Sequence, residues 1–220
     1  MQRQAESEIM NIPASVDAYV KADFAQVNQA FVDRLLELSG PREQAIAIDL
    51  GTGPADIPIR LARRRPHWNI TALDASQAML VAAQVAIERA GLSAAIKPVL
   101  ADAKNSPLPS ATFDIIFSNS ILHHVSDTKQ FWRELRRLGK PGALVLIRDL
   151  VRPRNTQHAR ELVWQYAGDE SALLQEEFYN SLLAAYSIEE IRGQIQEADL
   201  QILQTREASD RHLDVYGTIL

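Results

Sequence analysis

Hydrophobic positions along this chain follow two alternating patterns. Short apolar runs of strand type are separated by stretches in which apolar residues recur every three or four positions, as on one face of a helix. This alternation predicts a parallel sheet whose strands are joined by helical crossovers. Five such strands are predicted, at 45–50, 69–74, 95–101, 113–118 and 143–148.

Helical spacing also dominates both ends of the chain. Residues 1–8 are predicted to be frayed, and residues 12–38 to form one or two helices. Residues 155–186 indicate two helices without a strand between them, and Ser187 begins a capping box that opens a further helix. Two last strands, 200–207 and 212–219, are predicted to pair antiparallel.

Composition narrows the class of protein. With 220 residues, of which 46% are apolar, one domain is expected. The absence of cysteine excludes disulfides and thiolate metal sites, and a net charge of −5 provides no general attraction to nucleic acid. No apolar stretch approaches the roughly 18 residues of a membrane span, and the N-terminus lacks a signal-peptide core. We therefore expect a cytoplasmic protein without a nucleic-acid or membrane partner.

Candidate ligand-binding residues lie where the first two predicted strands end. Asp49 precedes a turn with Gly51 and Gly53, after which the pattern becomes helical. Glycine can adopt positive φ and lets a ligand approach the backbone closely. Asp74 follows Gly53 by 21 positions, the spacing of an acid that binds ribose hydroxyls. Together these residues indicate a cofactor that contains adenosine.

Position 56 discriminates between such cofactors. A dinucleotide places its pyrophosphate on a helix N-terminus, where Asp56 would repel it. We expect Asp56 to cap this helix and Pro58 to lie in its first turn. A ligand without phosphate is therefore favoured, and S-adenosylmethionine fits because it joins adenosine to a zwitterionic amino acid.

Five motifs follow one another along the chain. They are Ile48-Asp49-Leu50-Gly51-Thr52-Gly53, Leu73-Asp74-Ala75-Ser76, Ala101-Asp102-Ala103, Phe113 to Asn119 with Leu122-His123-His124, and Leu138-Gly139-Lys140-Pro141-Gly142-Ala143. Together they resemble the motifs of class I S-adenosylmethionine-dependent methyltransferases, most closely small-molecule enzymes of the ubiquinone/menaquinone-biosynthesis type. The resemblance is strong over residues 45–150 and rests on topology elsewhere. It implies an α/β, Rossmann-like, seven-stranded and mostly parallel sheet with an antiparallel C-terminal hairpin and helices on both faces.

The resemblance also implies which residues hold the cofactor. Asp49 would bind the ammonium group, Asp74 the ribose and Asp102 the adenine amino group, while the glycine turn faces the methionine part. No metal is expected, and the product would be S-adenosylhomocysteine. The implied cofactor-binding residues are Asp49, Gly51, Gly53, Asp74, Ala75, Met79, Asp102, Ala103 and Asn119.

Methyl transfer displaces a sulfonium carbon, so alignment of the reactants can supply most of the catalysis. A general base is needed if the acceptor is a hydroxyl or a carbon acid. His123 and His124 follow strand four, and His124 is the preferred candidate, although both could instead be structural. Acceptor contacts are expected from Tyr19, Arg148, Tyr186, Arg211 and His212, of which the arginines could instead form internal salt bridges.

We expect one domain, residues 1–220, that acts on a small-molecule acceptor as a monomer or homodimer. Its predicted parts are N-terminal cap helices (1–44), a cofactor-binding core (45–150), a helical substrate lid between strands five and six (151–187), and a C-terminal helix and hairpin (188–220). Two alternatives stay open: a regulatory protein that binds S-adenosylmethionine without catalysis, and an NAD(P)-dependent oxidoreductase. Asp56 and the lack of an obvious Tyr-x-x-x-Lys pair disfavour the oxidoreductase.

Overall fold

The computed structural model describes residues 1–219, and within them seven strands form one sheet. The strands are β1 (Ala45–Leu50), β2 (Trp68–Asp74), β3 (Ile96–Leu100), β4 (Phe113–Asn119), β5 (Gly139–Leu150), β6 (Gln204–Glu207) and β7 (His212–Thr218). Their order is β3-β2-β1-β4-β5-β7-β6. Strands β1 to β5 pair in parallel, and β7 runs antiparallel between β5 and β6. The predicted α/β fold, Rossmann-like with an antiparallel C-terminal hairpin, is confirmed.

Helices connect these strands where helical periodicity predicted them. Ser76 caps α4 by accepting from the N–H of Met79, and Ser187 and Glu190 form the predicted capping box of α8. None of the helices within residues 1–219 combines the length and the apolar character needed to cross a membrane. The helices are α1 (Pro13–Lys21), α2 (Ala25–Ser39), α3 (Asp56–Arg64), α4 (Gln77–Arg89), α5 (Thr128–Leu138), α6 (Thr156–Ala167), α7 (Ala172–Ala184) and α8 (Ile188–Glu197).

Two predicted boundaries were wrong. The sixth strand begins only at Gln204, because α8 ends at Glu197 and the chain then turns through Asp199, where φ is 56°, with Leu200 and Leu203 buried in the turn that follows. The predicted turn before strand five is part of β5, which begins at Gly139 opposite Phe113 and continues across a register shift. In both places the backbone conformation differs from the expected one.

Two apolar clusters cover the two faces of the sheet. Ala47 and Ile48 are neighbours in β1 but belong to different clusters, because successive strand side chains point to opposite faces. One cluster includes Trp132 of α5 and Ile191 of α8, and the other includes Phe31 of α2. A third, smaller cluster packs α6 against α7. The carboxyl ends of β1 and β2 face a cavity.

Candidate functional site

A cavity of about 880 Å³ lies at the carboxyl ends of β1, β2 and β4, the edge where parallel sheets bind ligands. Its wall includes all nine residues that the sequence predicted for cofactor binding. They are Asp49, Gly51, Gly53, Asp74, Ala75, Met79, Asp102, Ala103 and Asn119. The predicted residues are thus brought together, and their individual contacts with a cofactor stay predictions.

The glycine turn is held by the end of β2. The N–H groups of Gly51 and Thr52 both donate to the carbonyl of Leu73, at 2.8 and 2.9 Å. Gly51 and Gly53 have φ of 77° and 54°, which glycine adopts without strain. A Cβ on Gly51 would overlap Ile121, so the close approach at this glycine comes from the protein's own side chain.

Asp74 braces the turn that it faces. One carboxylate oxygen accepts from the N–H of Gly53 and the other from that of Ser76, both at 2.8 Å. Burial raises the pKa of Asp74, and these N–H donors oppose that rise. Each oxygen retains a further lone pair, so a ribose hydroxyl can be bound without breaking either bond.

Asp49 is 2% exposed at the end of β1. Burial raises its pKa to about 8, and the neighbouring Asp74 adds to the rise. Near neutral pH its carboxyl group is therefore largely protonated until a cation approaches it.

The N-terminal segment, residues 3–12, is ordered against the rest of the protein, contrary to the predicted fraying of residues 1–8. The N–H of Gln4 donates to the carbonyl of Leu183 at 3.0 Å. The ammonium group of Lys104 forms ion pairs with the carboxylates of Glu8 at 2.7 Å and Asp102 at 3.2 Å. These contacts join residues far apart in sequence, and no local pattern signals them.

This segment and α1 form the roof of the cavity. Tyr19, predicted to contact the acceptor, lies on its wall beside Phe24, with ring centroids 4.8 Å apart. Burial and nearby carboxylates raise the pKa of Tyr19 to about 12. The predicted lid at 151–187 does not line the cavity, because α6 and α7 pack on each other and leave Trp164 81% exposed.

Asp56 lies on the cavity wall but does not cap α3. The helix begins at Asp56 itself, after Ala55 in a left-handed conformation. The carboxylate of Asp56 accepts from Arg60 at 2.6 Å and from Asn28 at 2.9 Å. It is thus held by α2 and by its own helix, and its charge is partly neutralised.

The two candidate histidines are placed differently. His124 lines the cavity, and its Nδ1 donates to the carbonyl of Ser7 at 3.0 Å. Burial and the neighbouring His123 lower the pKa of His124 to about 3. His123 is buried behind the wall, with Nδ1 2.6 Å from Asp149. Burial opposes its charge, but Asp149 and Glu6 outweigh that effect and raise the pKa of His123.

Four predicted acceptor contacts lie outside the cavity. Arg148 is buried and makes a bidentate pair with Asp214, at 2.6 and 3.0 Å. Arg211 stacks on Tyr166, and the hydroxyl of Tyr186 donates to the carbonyl of Val125 at 2.7 Å.

His212 lies 3.0 Å from the hydroxyl of Ser209, and burial together with nearby arginines lowers its pKa to about 4. These four side chains lie at or near the correct sheet edge. Their partners are in the C-terminal strands and the turn between them, in α6 and in the loop before α5.

Comparison with known proteins agrees with this geometry. Residues 48–147 match the sequence profile of a methyltransferase-domain family. An uncharacterised methyltransferase of Mycobacterium tuberculosis is 34% identical over 121 residues, which are 55% of this chain and 58% of that protein. The ubiquinone/menaquinone biosynthesis C-methyltransferase of Idiomarina loihiensis is 27% identical over 161 residues, or 69% of this chain and 64% of that protein. The aligned part therefore spans less than two thirds of either relative.

A solved S-adenosylmethionine-dependent methyltransferase from Aquifex aeolicus has the same fold. The TM-score is 0.72 at 20% identity, and the match covers 96% of this chain and all of the other. Residues 48–147 are thus similar to a methyltransferase domain, and the described chain has the fold of the solved S-adenosylmethionine-dependent methyltransferase from Aquifex aeolicus.

Proposed function

We propose that this protein transfers the methyl group of S-adenosylmethionine to a small-molecule acceptor by direct displacement. The charge of the cavity carries the proposal. Of the described side chains on its wall, seven are acidic and three are basic. The acids are Glu8, Asp17, Asp23, Asp49, Asp56, Asp74 and Asp102, and the bases are Arg60, Arg89 and Lys104. Even with Asp49 protonated in the empty site, six acids face three bases, so the wall attracts the sulfonium and ammonium groups and repels the pyrophosphate of a dinucleotide.

The same charge supports a neutral or cationic acceptor. Arg148 and Arg211, the cationic residues expected to contact the acceptor, are engaged elsewhere, and Asp17 and Asp23 lie on the cavity wall. Apolar side chains of Val16, Val20 and Phe24 complete the roof. Within it, aligning the acceptor with the methyl carbon and excluding water would supply most of the rate enhancement.

Parallel calorimetric titrations with S-adenosylmethionine and NADH test the cofactor. Binding of S-adenosylmethionine alone supports the proposal, and binding of NADH alone contradicts it. The acceptor is then tested by following S-adenosylhomocysteine formation with matched neutral, cationic and anionic acceptors. Faster turnover of the anionic acceptors would contradict the proposal of a neutral or cationic acceptor. Tight cofactor binding without turnover in any series would favour the regulatory alternative.

His124 is the candidate base because its imidazole lies on the wall. We expect His124→Ala to lower turnover of a hydroxyl acceptor while cofactor affinity changes little, as measured by initial rates and calorimetry. Unchanged turnover would make this histidine structural.

A further inference from the structure

Three ligand-type side chains converge between the N-terminal segment and the short 3-10 helix Leu122–His124. One ring nitrogen each of His123 and His124 and one carboxylate oxygen of Glu6 lie within 4.8 Å of one another. Glu6 Oε1 is 3.6 Å from His123 Nε2 and 3.3 Å from His124 Nδ1. Two ligands of a tetrahedral ion, each bound at about 2.1 Å, are separated by about 3.4 Å. The Glu6–histidine distances therefore already suit a bound ion.

Glu6 Oε1 lacks a hydrogen-bond donor within the described part of the chain. This oxygen is buried and accepts no hydrogen bond of good geometry from residues 1–219, although Ser181 lies near the Glu6 carboxyl group. Burying a carboxylate oxygen without a partner is costly, and native structures rarely leave one unsatisfied. A cation between the three side chains would compensate the charge of this buried oxygen.

The surroundings of His123 are those of a metal ligand. Its Nδ1 donates to Asp149 Oδ1 at 2.6 Å, so the lone pair of the neutral ring is on Nε2, which lies 3.6 Å from Glu6 Oε1. Asp149 is itself fixed by the N–H groups of Leu122 and Leu150, at 2.5 and 2.7 Å. A carboxylate behind the distal nitrogen is the usual device that orients a metal-binding histidine and raises its basicity.

We propose that Glu6, His123 and His124 bind one divalent transition-metal ion. Two imidazoles and one carboxylate suit Zn²⁺, Co²⁺ or Fe²⁺ and not the all-oxygen preference of Mg²⁺. On binding, His124 exchanges its hydrogen bond to Ser7 for the ion and carries its proton on Nε2, so this histidine can act as a base only in the metal-free protein. Because His124 lines the cavity and Glu6 belongs to the N-terminal segment, the ion would fasten that segment to the cavity wall. The expectation of no metal came with the methyltransferase resemblance, and no local pattern indicates this cluster, since 117 positions separate Glu6 from His123.

Metal titration of tag-free, chelator-stripped protein tests this site without any methyl transfer. Calorimetry with Zn²⁺ is expected to show one equivalent bound, and Co²⁺ to develop the visible absorption of a low-symmetry nitrogen–oxygen site. Mg²⁺ should not compete. Failure of both Zn²⁺ and Co²⁺ to bind would overturn the proposal and leave a shared proton as the occupant. Cofactor titrations are separate, so failure of the proposed function is distinguishable.

Variants locate the ion. Glu6→Gln, and separately His124→Gln, should weaken Zn²⁺ binding by about tenfold or more. His67→Asn, which changes an exposed histidine, is the matched control and should retain wild-type affinity. Equal losses in Glu6→Gln and in this control would place the ion elsewhere and overturn the assignment.

Discussion

Asp49 and Asp74 end adjacent strands, yet their carboxyl groups are held differently. Asp49 is 2% exposed and has a pKa raised by burial to about 8, whereas both oxygens of Asp74 accept from backbone N–H groups. Asp49 should therefore respond to the charge of a ligand. Asp74 should shape the glycine turn as well as bind the ligand.

Cofactor affinity should rise with pH between about 6 and 7.5. In the empty site Asp49 is protonated below a pKa of about 8, and a bound ammonium group requires the carboxylate, so binding releases a proton. The association constant then increases by up to about tenfold per pH unit. Calorimetry in buffers of different ionisation enthalpy measures the release, which Asp49→Asn should abolish. A pH-independent affinity in the wild type would contradict this role.

Asp74→Ala should weaken binding of S-adenosylmethionine by about tenfold or more, or ~1.4 kcal/mol, since the ribose loses its acceptor. The variant also loses its bonds to Gly53 and Ser76, so about 1 kcal/mol of stability should be lost per bond. Asp114→Ala is the matched control, because Asp114 accepts from the N–H of Ile46 at the start of β1, away from the cavity. Equal affinities in the two variants would refute the ribose contact.

Among the elements, α1 and the segment before it cover the cavity, and the insert of α6 and α7 does not. The insert buries Leu162 and Leu182 within its own small cluster. The N-terminal segment instead reaches α4, where Ser76 donates to the carbonyl of Met10 at 2.8 Å. Access to the cofactor is therefore expected to depend on the N-terminal elements.

Tyr19→Ala should weaken cofactor binding about fivefold or more, because an aromatic wall of the cavity is removed. Trp164→Ala, on the 81% exposed side chain of α6, should leave the affinity unchanged. Calorimetric titration of both variants measures the difference. A larger loss of cofactor affinity in Trp164→Ala than in Tyr19→Ala would instead indicate that the α6–α7 insert covers the cavity.

Across the whole molecule, a buried ion pair joins the three C-terminal strands of the sheet. Asp214 of β7 is fully buried and accepts from Arg148 of β5 at 2.6 Å and from Arg206 of β6 at 3.1 Å. Breaking such a pair leaves a charge without compensation, which costs more than the pair contributes over an apolar substitute.

Asp214→Ala should therefore lower the free energy of unfolding by about 3–5 kcal/mol, as Arg148 loses its buried partner. The melting temperature should fall by roughly 10 °C. Asp210→Ala, which breaks the exposed pair with Arg211, should cost under about 1 kcal/mol. Urea unfolding measures both variants. Similar losses would show that Arg148 does not depend on this pair.

Local patterns in the sequence were sufficient for the sheet and for the cofactor edge. Strand periodicity, the glycines at 51 and 53 and the acid at 74 are short-range features, and parallel topology brings strand ends to one edge. All nine predicted residues consequently lie on one cavity wall. The misplaced start of β6 arose because a buried turn and a buried strand carry the same apolar residues.

Contacts between distant residues were decided only by the packed structure. Arg148 was predicted to face an acceptor, yet it pairs with Asp214, because β7 inserts beside β5. Glu6 meets His123 and His124 because the N-terminal segment folds back over the cavity. Sequence determines which side chains can reach the sheet edge, whereas the packing of distant elements selects their partners, since burial favours the pairing that leaves the fewest charges and polar groups unsatisfied.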